Sequence, residues 1–226
     1  MKVAVISFPA SNCDRDALVA VKKFTNKVEK IWHKESNLAN DLDLIIIPGG
    51  FSFGDYLRSG AMASISPIMQ EVKRLAERGV KIMGICNGFQ ILTETGLLPG
   101  VLLRNKSGKF INKNALLRVE NTETAFTKNY KKNQLIKIPI AHMDGNYFAD
   151  VETIKKLEDT NSIAWRYVDE YNNLSDVANP NGSMLNIAGV FNSKKNILGS
   201  MPHPERAVDE NTGSSDGIML FESLFS

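Results

Sequence analysis

The sequence predicts an α/β protein in which a mostly parallel central sheet has helices on both faces and carries antiparallel additions. Apolar runs alternate with helical patterns through the first half of the chain, and this alternation is typical of a parallel sheet covered by helices. The second half has shorter, turn-rich apolar segments, which indicate antiparallel strands. No internal repeat or low-complexity linker interrupts residues 1–226, so we expect a single domain.

The elements of the first half follow one another closely, because short apolar runs bounded by turn residues predict buried strands. They are strand Lys2 to Ser7, helix Asp14 to Phe24, strands Val28 to Trp32 and Asp43 to Ile47, helix Ile65 to Arg78, and strand Lys81 to Ile85, after which a helix begins at Asn87.

The predicted elements of the second half are shorter and end on a helix. They are strands Val101 to Arg104, Ala115 to Val119 and Gln134 to Ile138, helix Glu152 to Glu158, strands Ile163 to Tyr167, Ile187 to Phe191 and Asn196 to Ser200, and helix Asp216 to Leu224.

Charge and composition exclude several classes of function. The chain has 27 basic and 25 acidic residues and a net charge of +2, too mild a balance to predict nucleic-acid binding. No segment is long enough to span a membrane, and the first apolar run stops at Pro9, too early for a signal peptide. With only Cys13 and Cys86 as cysteines, we expect free thiols and a cytoplasmic location.

Cys86 is the predicted reactive atom. It lies where strand Lys81 to Ile85 must turn at once into a helix, with Gly84 and Gly88 two residues to either side. This spacing is that of a nucleophile elbow with sulfur in place of oxygen. The unpaired amides at the start of the following helix face the sulfur and favour the thiolate. The alternative, a small buried cysteine between two glycines, stays open at this point.

A thiolate nucleophile needs a proton carrier, and the chain has three histidines. His33 lies beside Lys34 in a setting that we interpret as solvated and incidental. His142 follows a strand, a position that could line a pocket, although a role in loop structure is our default interpretation. His203 lies between two prolines, which favour extended backbone, and a rigid surface turn stays open as the alternative. Residues two apart on extended backbone project to the same side, so Glu205 is predicted to orient the imidazole.

The glycine pair after strand Asp43 to Ile47 suggests an anion site. Backbone amides can point into a cleft at Gly49 and Gly50 without a side chain in the way. An amide near Gly50, together with the amide of Asn87, would stabilise the oxyanion of acyl chemistry at Cys86. The glycine spacing at the first strand does not fit a dinucleotide fingerprint, so we expect no NAD or FAD. We also expect no metal site.

Together these motifs resemble the class I glutamine amidotransferases, and within that class the glutaminase subunits of phosphoribosylformylglycinamidine synthases. The resemblance runs almost end to end. It is carried by residues 11–16 (Ser-Asn-Cys-Asp-Arg-Asp), the loop Pro48 to Gly60, the segments Cys86 to Leu92 and Gly96 to Gly100, and Met201 to Arg206.

The resemblance implies a mechanism and partners. Cys86 would be the nucleophile, His203 the general base and then acid, Glu205 the residue that holds His203, and Gln90 a contact to the substrate glutamine. It implies that ammonia passes to a large synthetase subunit that uses ATP and Mg²⁺, with a small accessory subunit. The chain itself has no phosphate loop with a lysine and is expected to hold no cofactor.

Two positions depart from the family pattern. Ala10 stands where glycine is usual, and Met143-Asp144 stands where glycine and glutamate are usual. These departures concern the loops beside the site and leave the three catalytic positions intact. Cys13 lacks an elbow of its own, so we expect it to serve packing.

Two other functions remain open from the sequence. A stand-alone cysteine peptidase or γ-glutamyl hydrolase would use the same thiol and imidazole on the same fold without a partner. An inert interaction subunit would keep the fold without the chemistry, although the complete set of Cys86, His203 and Glu205 argues against it.

Overall fold

A central nine-stranded sheet organises the protein in a computed structural model that describes the backbone of residues 1–226 and every side chain except that of Thr212. Its strands are β1 (Val3–Ser7), β2 (Val28–Trp32), β3 (Leu44–Ile47), β4 (Lys81–Ile85), β6 (Ile111–Val119), β7 (Leu135–His142), β9 (Ile163–Tyr167), β10 (Ile187–Phe191) and β11 (Ile197–Ser200). Two further strands, β5 (Val101–Leu103) and β8 (Asn146–Phe148), form a separate antiparallel pair.

The helices lie mostly between the strands of the parallel part. They are α1 (Asp14–Lys22), α2 (Ala61–Ser64), α3 (Ile68–Glu77), α4 (Asn87–Glu94), α5 (Val151–Asp159) and α6 (Ile218–Phe225), with short 3-10 helices at Ser52–Asp55, Met184–Asn186, Pro204–Arg206 and Glu210–Thr212.

The sheet has a parallel half and an antiparallel half. The order is β2-β1-β3-β4-β11-β10-β9-β6-β7, and β2 through β11 in this order pair in parallel. The remaining strands pair antiparallel. The predicted α/β class, with a mostly parallel sheet and antiparallel additions, is therefore confirmed.

Burial separates the inner parallel strands from β2, which lies at the edge of the sheet and is only partly buried. Every residue of β1 and β3 is buried, as expected for strands covered by helices on both faces. Helix α3 buries one apolar stripe, formed by Ile68, Met69, Val72, Leu75 and Ala76, whose spacing matches a helix that packs one face on a sheet.

Several predicted elements differ from the structure. The strand predicted over Ala115 to Val119 begins already at Ile111. The helix predicted over Ile65 to Arg78 begins only at Ile68, after Pro67, and the short helix α2, which the sequence did not predict, ends before it at Ser64; proline is favoured at a helix start and lacks the amide needed inside one. Strand β7 continues beyond Ile138 through Pro139 to His142. Proline is tolerated there because β7 is the edge strand of the sheet.

The ends of three neighbouring strands create the position of the site. Ile47 of β3 pairs with Gly84 of β4, and Ser200 of β11 pairs with Ile85 of β4. The three strands are parallel, so the loops that follow them leave the same edge of the sheet side by side. This edge is where open α/β sheets bind ligands.

Among the described residues, no helix combines the length and the apolar character that crossing a bilayer requires.

Gly88 tests the packing of α4 on the sheet. A methyl group at Gly88 would collide with the carbonyl group of Ile47, so we expect Gly88→Ala to lower the free energy of unfolding by about 3 kcal/mol, measured by urea denaturation. Gly96 is the control, because a methyl group there meets no atom within 4 Å and only its positive φ of 73° opposes alanine. Gly96→Ala should cost about 1 kcal/mol; equal losses for both variants would contradict the packing argument.

Candidate active site

The backbone at Cys86 is strained, as the elbow prediction requires. Cys86 has φ 50° and ψ −103°, a conformation that costs a residue with a side chain about 1 to 3 kcal/mol. Its amide donates to the carbonyl of Ser200 at 2.7 Å, and its own carbonyl accepts from the amide of Phe89 at 3.0 Å as α4 begins. The strand and the helix therefore hold the turn from both sides, and the thiol projects from the edge of the sheet.

The two glycines beside Cys86 are required by close packing. A Cβ at Gly84 would lie 2.7 Å from the backbone of Gly88, and one at Gly88 would overlap Ile47 of the neighbouring strand. Both positions have ordinary backbone angles, so the reason for glycine is space and not conformation. The spacing that identified the elbow in the sequence thus has a steric cause.

His203 and Glu205 form the predicted pair, but the geometry differs from the prediction. Pro204–Arg206 form a 3-10 turn with His203 at its start, whereas the sequence predicted extended backbone. The turn brings Oε1 of Glu205 to 2.7 Å from Nδ1 of His203. Both side chains are buried, and the amide of His203 donates to the carbonyl of Pro139 at 2.9 Å, which fixes the ring beside the edge strand.

The electrostatic setting of His203 favours its charged form. Burial alone would lower the pKa of His203, but the carboxylate of Glu205 and the nearby sulfurs of Cys86 and Cys13 outweigh it and raise the pKa well above its ordinary value. Among the described residues, Nε2 of His203 has no hydrogen-bond partner of good geometry. This nitrogen is therefore available for proton transfer.

Cys86 and His203 meet at one crevice beside Gly49. A Cβ built on Gly49 would lie 2.8 Å from Cε1 of His203 and 3.4 Å from Cβ of Cys86. The crevice exists because this position has no side chain. Sγ of Cys86 lies 3.7 Å from the carbonyl oxygen of Ala141, and only 5% of the Cys86 surface is exposed. Residues from both halves of the chain are thus brought together.

The structure places the predicted substrate and oxyanion residues around this crevice. Gly50 has φ 127°, and a side chain there would strike Asn12 and not the crevice. Of the two glycines, Gly49 is therefore the one whose missing side chain leaves space between Cys86 and His203. Asn87 accepts from the amide of Ser52 at 3.1 Å and donates to Oε1 of Gln90 at 2.8 Å. Nε2 of Gln90 donates to the carbonyl of Asp144 at 2.6 Å. Gln90 therefore joins α4 to the segment after β7.

Cys13, which we expected to serve packing, borders the crevice: its sulfur would lie 3.2 Å from a Cβ built on Gly49. It is buried, and Nη2 of Arg206 donates to its sulfur at 3.0 Å, while Nε of Arg206 donates to Asp16 at 2.9 Å. The turn that carries His203 is thereby tied to the start of α1. The two sequence motifs that contain Cys13 and Arg206 contact each other directly.

One group of side chains could offer atoms to a metal ion. Cys13, His203 and Glu205 place ligand atoms within 4.8 Å of one another. His203 and Glu205 are already hydrogen-bonded to each other, and the guanidinium of Arg206 supplies a positive charge at the sulfur. The three side chains are thus already bound by one another and by Arg206.

The other two histidines are both buried. The prediction of a solvated His33 is wrong, because the ring stacks on Phe8, meets Phe53 edge-on and contacts the Ser66 hydroxyl at 3.1 Å. His142 contacts Asn105 and Asn181. Burial and the nearby charge of His203 lower the pKa of His142 to about 4, so it is neutral at neutral pH.

Sequence reasoning gave no role to the carboxylate of Asp55 or to the amides of Asn105 and Asn181, and it noted Asp144 only as a departure from the family pattern. Burial, together with the charge of Asp144, raises the pKa of Asp55 to about 6 against a hydrogen bond from Ser59. Asn105 and Asn181 are buried. In the sequence, Asn105 lies between Arg104 and Lys106 and Asn181 lies in a turn-forming run, so neither carries a signal that distinguishes it from a surface residue.

A cavity of about 640 Å³ lies apart from the crevice. Its lining contains neither Cys86 nor His203 and is formed by Lys106, Ser107, Leu174, Ser175, Asp176, Asn179, Pro180, Gly182, Ser183, Leu185 and Asn186. This cavity therefore does not contain the predicted nucleophile or the predicted base.

Known proteins with this fold and sequence agree on the class. Residues 1–216 match the family model of the CobB/CobQ-like glutamine amidotransferase domain. A structure of PurLQS from Thermotoga maritima contains a chain with a TM-score of 0.87 and 45% identity, covering 99% of this chain and 96% of that one. Another glutamine amidotransferase from Thermotoga maritima, at 13% identity and a TM-score of 0.58 over 99% and 90% of the two chains, shares the fold.

Fold, crevice and family model together define a class I glutamine amidotransferase. The phosphoribosylformylglycinamidine synthase subunit PurQ of Zymomonas mobilis is 54% identical over 225 residues, which cover 99% of this chain and 98% of the relative. The chain belongs to the family of these amidotransferase subunits.

His142 predicts a pH dependence of stability. Its pKa falls from an ordinary 6.5 to about 4 on folding, so between these values the unfolded chain takes up a proton that the folded chain does not. Stability is unaffected above this window and is lost as the pH falls through it. Relative to His142→Gln, the free energy of unfolding of the native chain should fall by about 2 kcal/mol from about pH 7.5 to about pH 5.

Urea titrations of both proteins at the two pH values test this expectation. The comparison removes the contribution of other titrating groups, because both proteins contain them. A difference that stays constant with pH would contradict a neutral, buried His142.

Proposed function

We propose that this chain hydrolyses glutamine to glutamate and ammonia and passes the ammonia to a synthetase that converts formylglycinamide ribonucleotide to formylglycinamidine ribonucleotide with ATP, a step of purine biosynthesis. The observation that carries the proposal is the strained Cys86 elbow facing the buried pair of His203 and Glu205 in one crevice. The relation to subunit PurQ favours this function over a stand-alone peptidase or γ-glutamyl hydrolase.

The first step is attack of the Cys86 thiolate on the side-chain amide carbon of glutamine. A carbon–sulfur bond forms, and the carbonyl oxygen takes the negative charge. Imidazolium at His203, which its surroundings favour, gives its proton to the leaving nitrogen, and the carbon–nitrogen bond breaks to release ammonia. Glu205 holds Nδ1 throughout, so that Nε2 is the nitrogen that exchanges protons.

Backbone amides would stabilise the oxyanion. The amide of Asn87 begins α4 directly after the nucleophile, and an amide near Gly50 flanks the crevice from β3. Each donor of this kind contributes about 3 kcal/mol to the lowering of a barrier. The glutamyl thioester is then hydrolysed: His203 takes a proton from water, hydroxide attacks the carbonyl, and the thiolate leaves.

The fate of ammonia explains the need for partners. Ammonia is protonated in bulk water and is then no longer a nucleophile, so transfer requires a sheltered route to the acceptor. We propose a large synthetase subunit, which holds the ATP and Mg²⁺, and a small accessory subunit. The similarity of this chain to one chain of the PurLQS structure supports these partners. The chain would act as one domain over residues 1–226, in the reducing cytoplasm that its free thiols suit.

The two thiols make a direct test of the nucleophile. We expect Cys86→Ala to lose glutamine hydrolysis by about a thousandfold or more, while amination with added ammonia by the complex is kept. Cys13→Ser should retain most of the glutaminase activity. A thiol-alkylating glutamine analogue followed by peptide mass mapping should place the label on Cys86, and a label on Cys13 would overturn the assignment.

Removal of the Glu205 charge tests the pair. Glu205→Gln should lower kcat for glutamine hydrolysis by about 10² to 10⁴ and should lower the pKa of His203, because the carboxylate raises it in the native protein. Steady-state kinetics and an NMR titration of the histidine ring provide the two readouts. Unchanged titration of His203 would show that Glu205 does not set its charge.

Coupling to the partner gives a further test. We expect weak glutaminase activity from the isolated chain and strong activity in the complex, because the crevice is nearly closed around Cys86. Turnover of glutamine should be measured with and without the large subunit. Equal rates would contradict the coupling and favour a stand-alone hydrolase.

A further inference from the structure

We propose that Asn105 and Asn181 are positioning residues that hold Ala141–Gly145 as a rigid wall of the glutamine pocket and thereby set the affinity for glutamine. We call residues 141–145 the pocket segment. The inference rests on the proposed function, because it concerns the substrate of the same crevice. It starts from two buried amides and one buried histidine to which the reaction steps assign no role.

The pocket segment faces the reactive groups through its backbone. The carbonyl oxygen of Ala141 lies 3.7 Å from Sγ of Cys86, and the carbonyl oxygen of Asp144 accepts from Nε2 of Gln90 at 2.6 Å. The carboxylate of Asp144 accepts from the hydroxyl of Ser59 at 2.7 Å. A shift of this segment would therefore move one side of the crevice relative to the thiol.

Asn105 binds the pocket segment at three backbone groups. Its Nδ2 donates to the carbonyl of His142 at 2.9 Å, and its Oδ1 accepts from the amide of Gly145 at 3.0 Å. Its own amide donates to the carbonyl of Met143 at 2.8 Å. Asn105 thus bridges the segment from its second residue to its last and fixes the turn between them.

Asn181 holds the segment from the other side. Its Nδ2 donates to the carbonyl of Gly145 at 2.8 Å and lies 3.5 Å from Nε2 of His142. Nδ1 of His142 lies 3.1 Å from Oδ1 of Asn105, so the ring is bounded by an amide oxygen on one side and an amide nitrogen on the other. Only the neutral ring with its hydrogen on Nδ1 satisfies both contacts.

Gly145 is required by the same packing. A Cβ at Gly145 would lie 2.5 Å from Nδ1 of His142, so the segment folds tightly against its own histidine. The position has no positive φ, and the close approach to the ring alone explains the glycine. His142 acts as the support on which both amides and the backbone of the segment converge.

Burial makes these contacts effective. Asn105, His142 and Asn181 are each at most 2% exposed, so their polar groups cannot exchange the protein contacts for water. A segment held in this way is ordered before the substrate arrives, so the free energy of glutamine binding does not include the entropic cost of ordering it. Loss of one amide should therefore weaken glutamine binding more than it slows the chemical steps at Cys86.

The test uses the complex with the synthetase and measures glutamine hydrolysis. Asn105→Ala should raise KM for glutamine about 10- to 100-fold, with kcat within about threefold of the native value. Asn105→Asp keeps the acceptor for the Gly145 amide but cannot donate to the His142 carbonyl, so it should also raise KM and keeps the test open if the alanine variant fails to fold.

Asn196 provides a matched control. Its Nδ2 donates to two backbone carbonyls, those of Ala76 at 2.9 Å and Val80 at 3.1 Å, at the start of β11 and away from the crevice. Asn196→Ala should lower stability while KM stays native. The rate at which iodoacetamide alkylates Cys86 should be unchanged in Asn105→Ala, because the nucleophile itself is not altered, and amination with added ammonia should be native.

The outcomes separate this inference from the proposed function. If the native complex hydrolyses glutamine and both Asn105 variants keep the native KM, the positioning role is wrong while the function stands. Equal KM increases in Asn105→Ala and Asn196→Ala would also overturn it, since a general loss of stability would then explain the effect. A native complex without glutamine hydrolysis would overturn the proposed function first.

Discussion

The strained turn at Cys86 is the constraint on which the rest of the site depends. A residue with φ 50° and ψ −103° persists only where its surroundings hold it. Here β4 supplies the support through the bond to Ser200, and the glycines at 84 and 88 let α4 approach the sheet closely enough to continue the chain. The sulfur of Cys86 thereby lies at the edge of the sheet, beside the loop that follows β11 and contains His203.

The contacts of Arg206 connect this constraint to the N-terminal motif. The turn that carries His203 and Glu205 is short, and by itself a single 3-10 turn has little stability. Bonds from Arg206 to Cys13 and Asp16 anchor it to the start of α1, and the bond to Pro139 anchors it to β7. The two motifs, far apart in sequence, therefore serve one purpose: they fix the imidazole relative to the thiol.

Much of the fold could be predicted from sequence because its signals are local. Strands β2, β4, β9 and β10 match the predicted bounds, and apolar runs between turn residues mark the last three of them. The predicted start of α3 and the predicted end of β7 were wrong. The first depends on a proline placed at a helix start, and the second depends on the position of β7 at the edge of the sheet; both are properties of the assembled fold. His33 was misjudged for the same reason: its neighbours in sequence are charged, and its neighbours in space are Phe8 and α3.

The sequence by itself determined the class of fold, the elbow at Cys86 and the candidate pair of His203 and Glu205, because glycine spacing, proline positions and residue chemistry act over a few residues. Only the tertiary structure decided that Gly49 opens the crevice and that His203 and Glu205 meet through a 3-10 turn. It also decided that Arg206 contacts Cys13 and that Asn105 and Asn181 bind the pocket segment. These facts arise from contacts between residues distant in sequence. Such contacts depend on how strands pair and loops pack, and no short stretch of sequence encodes them.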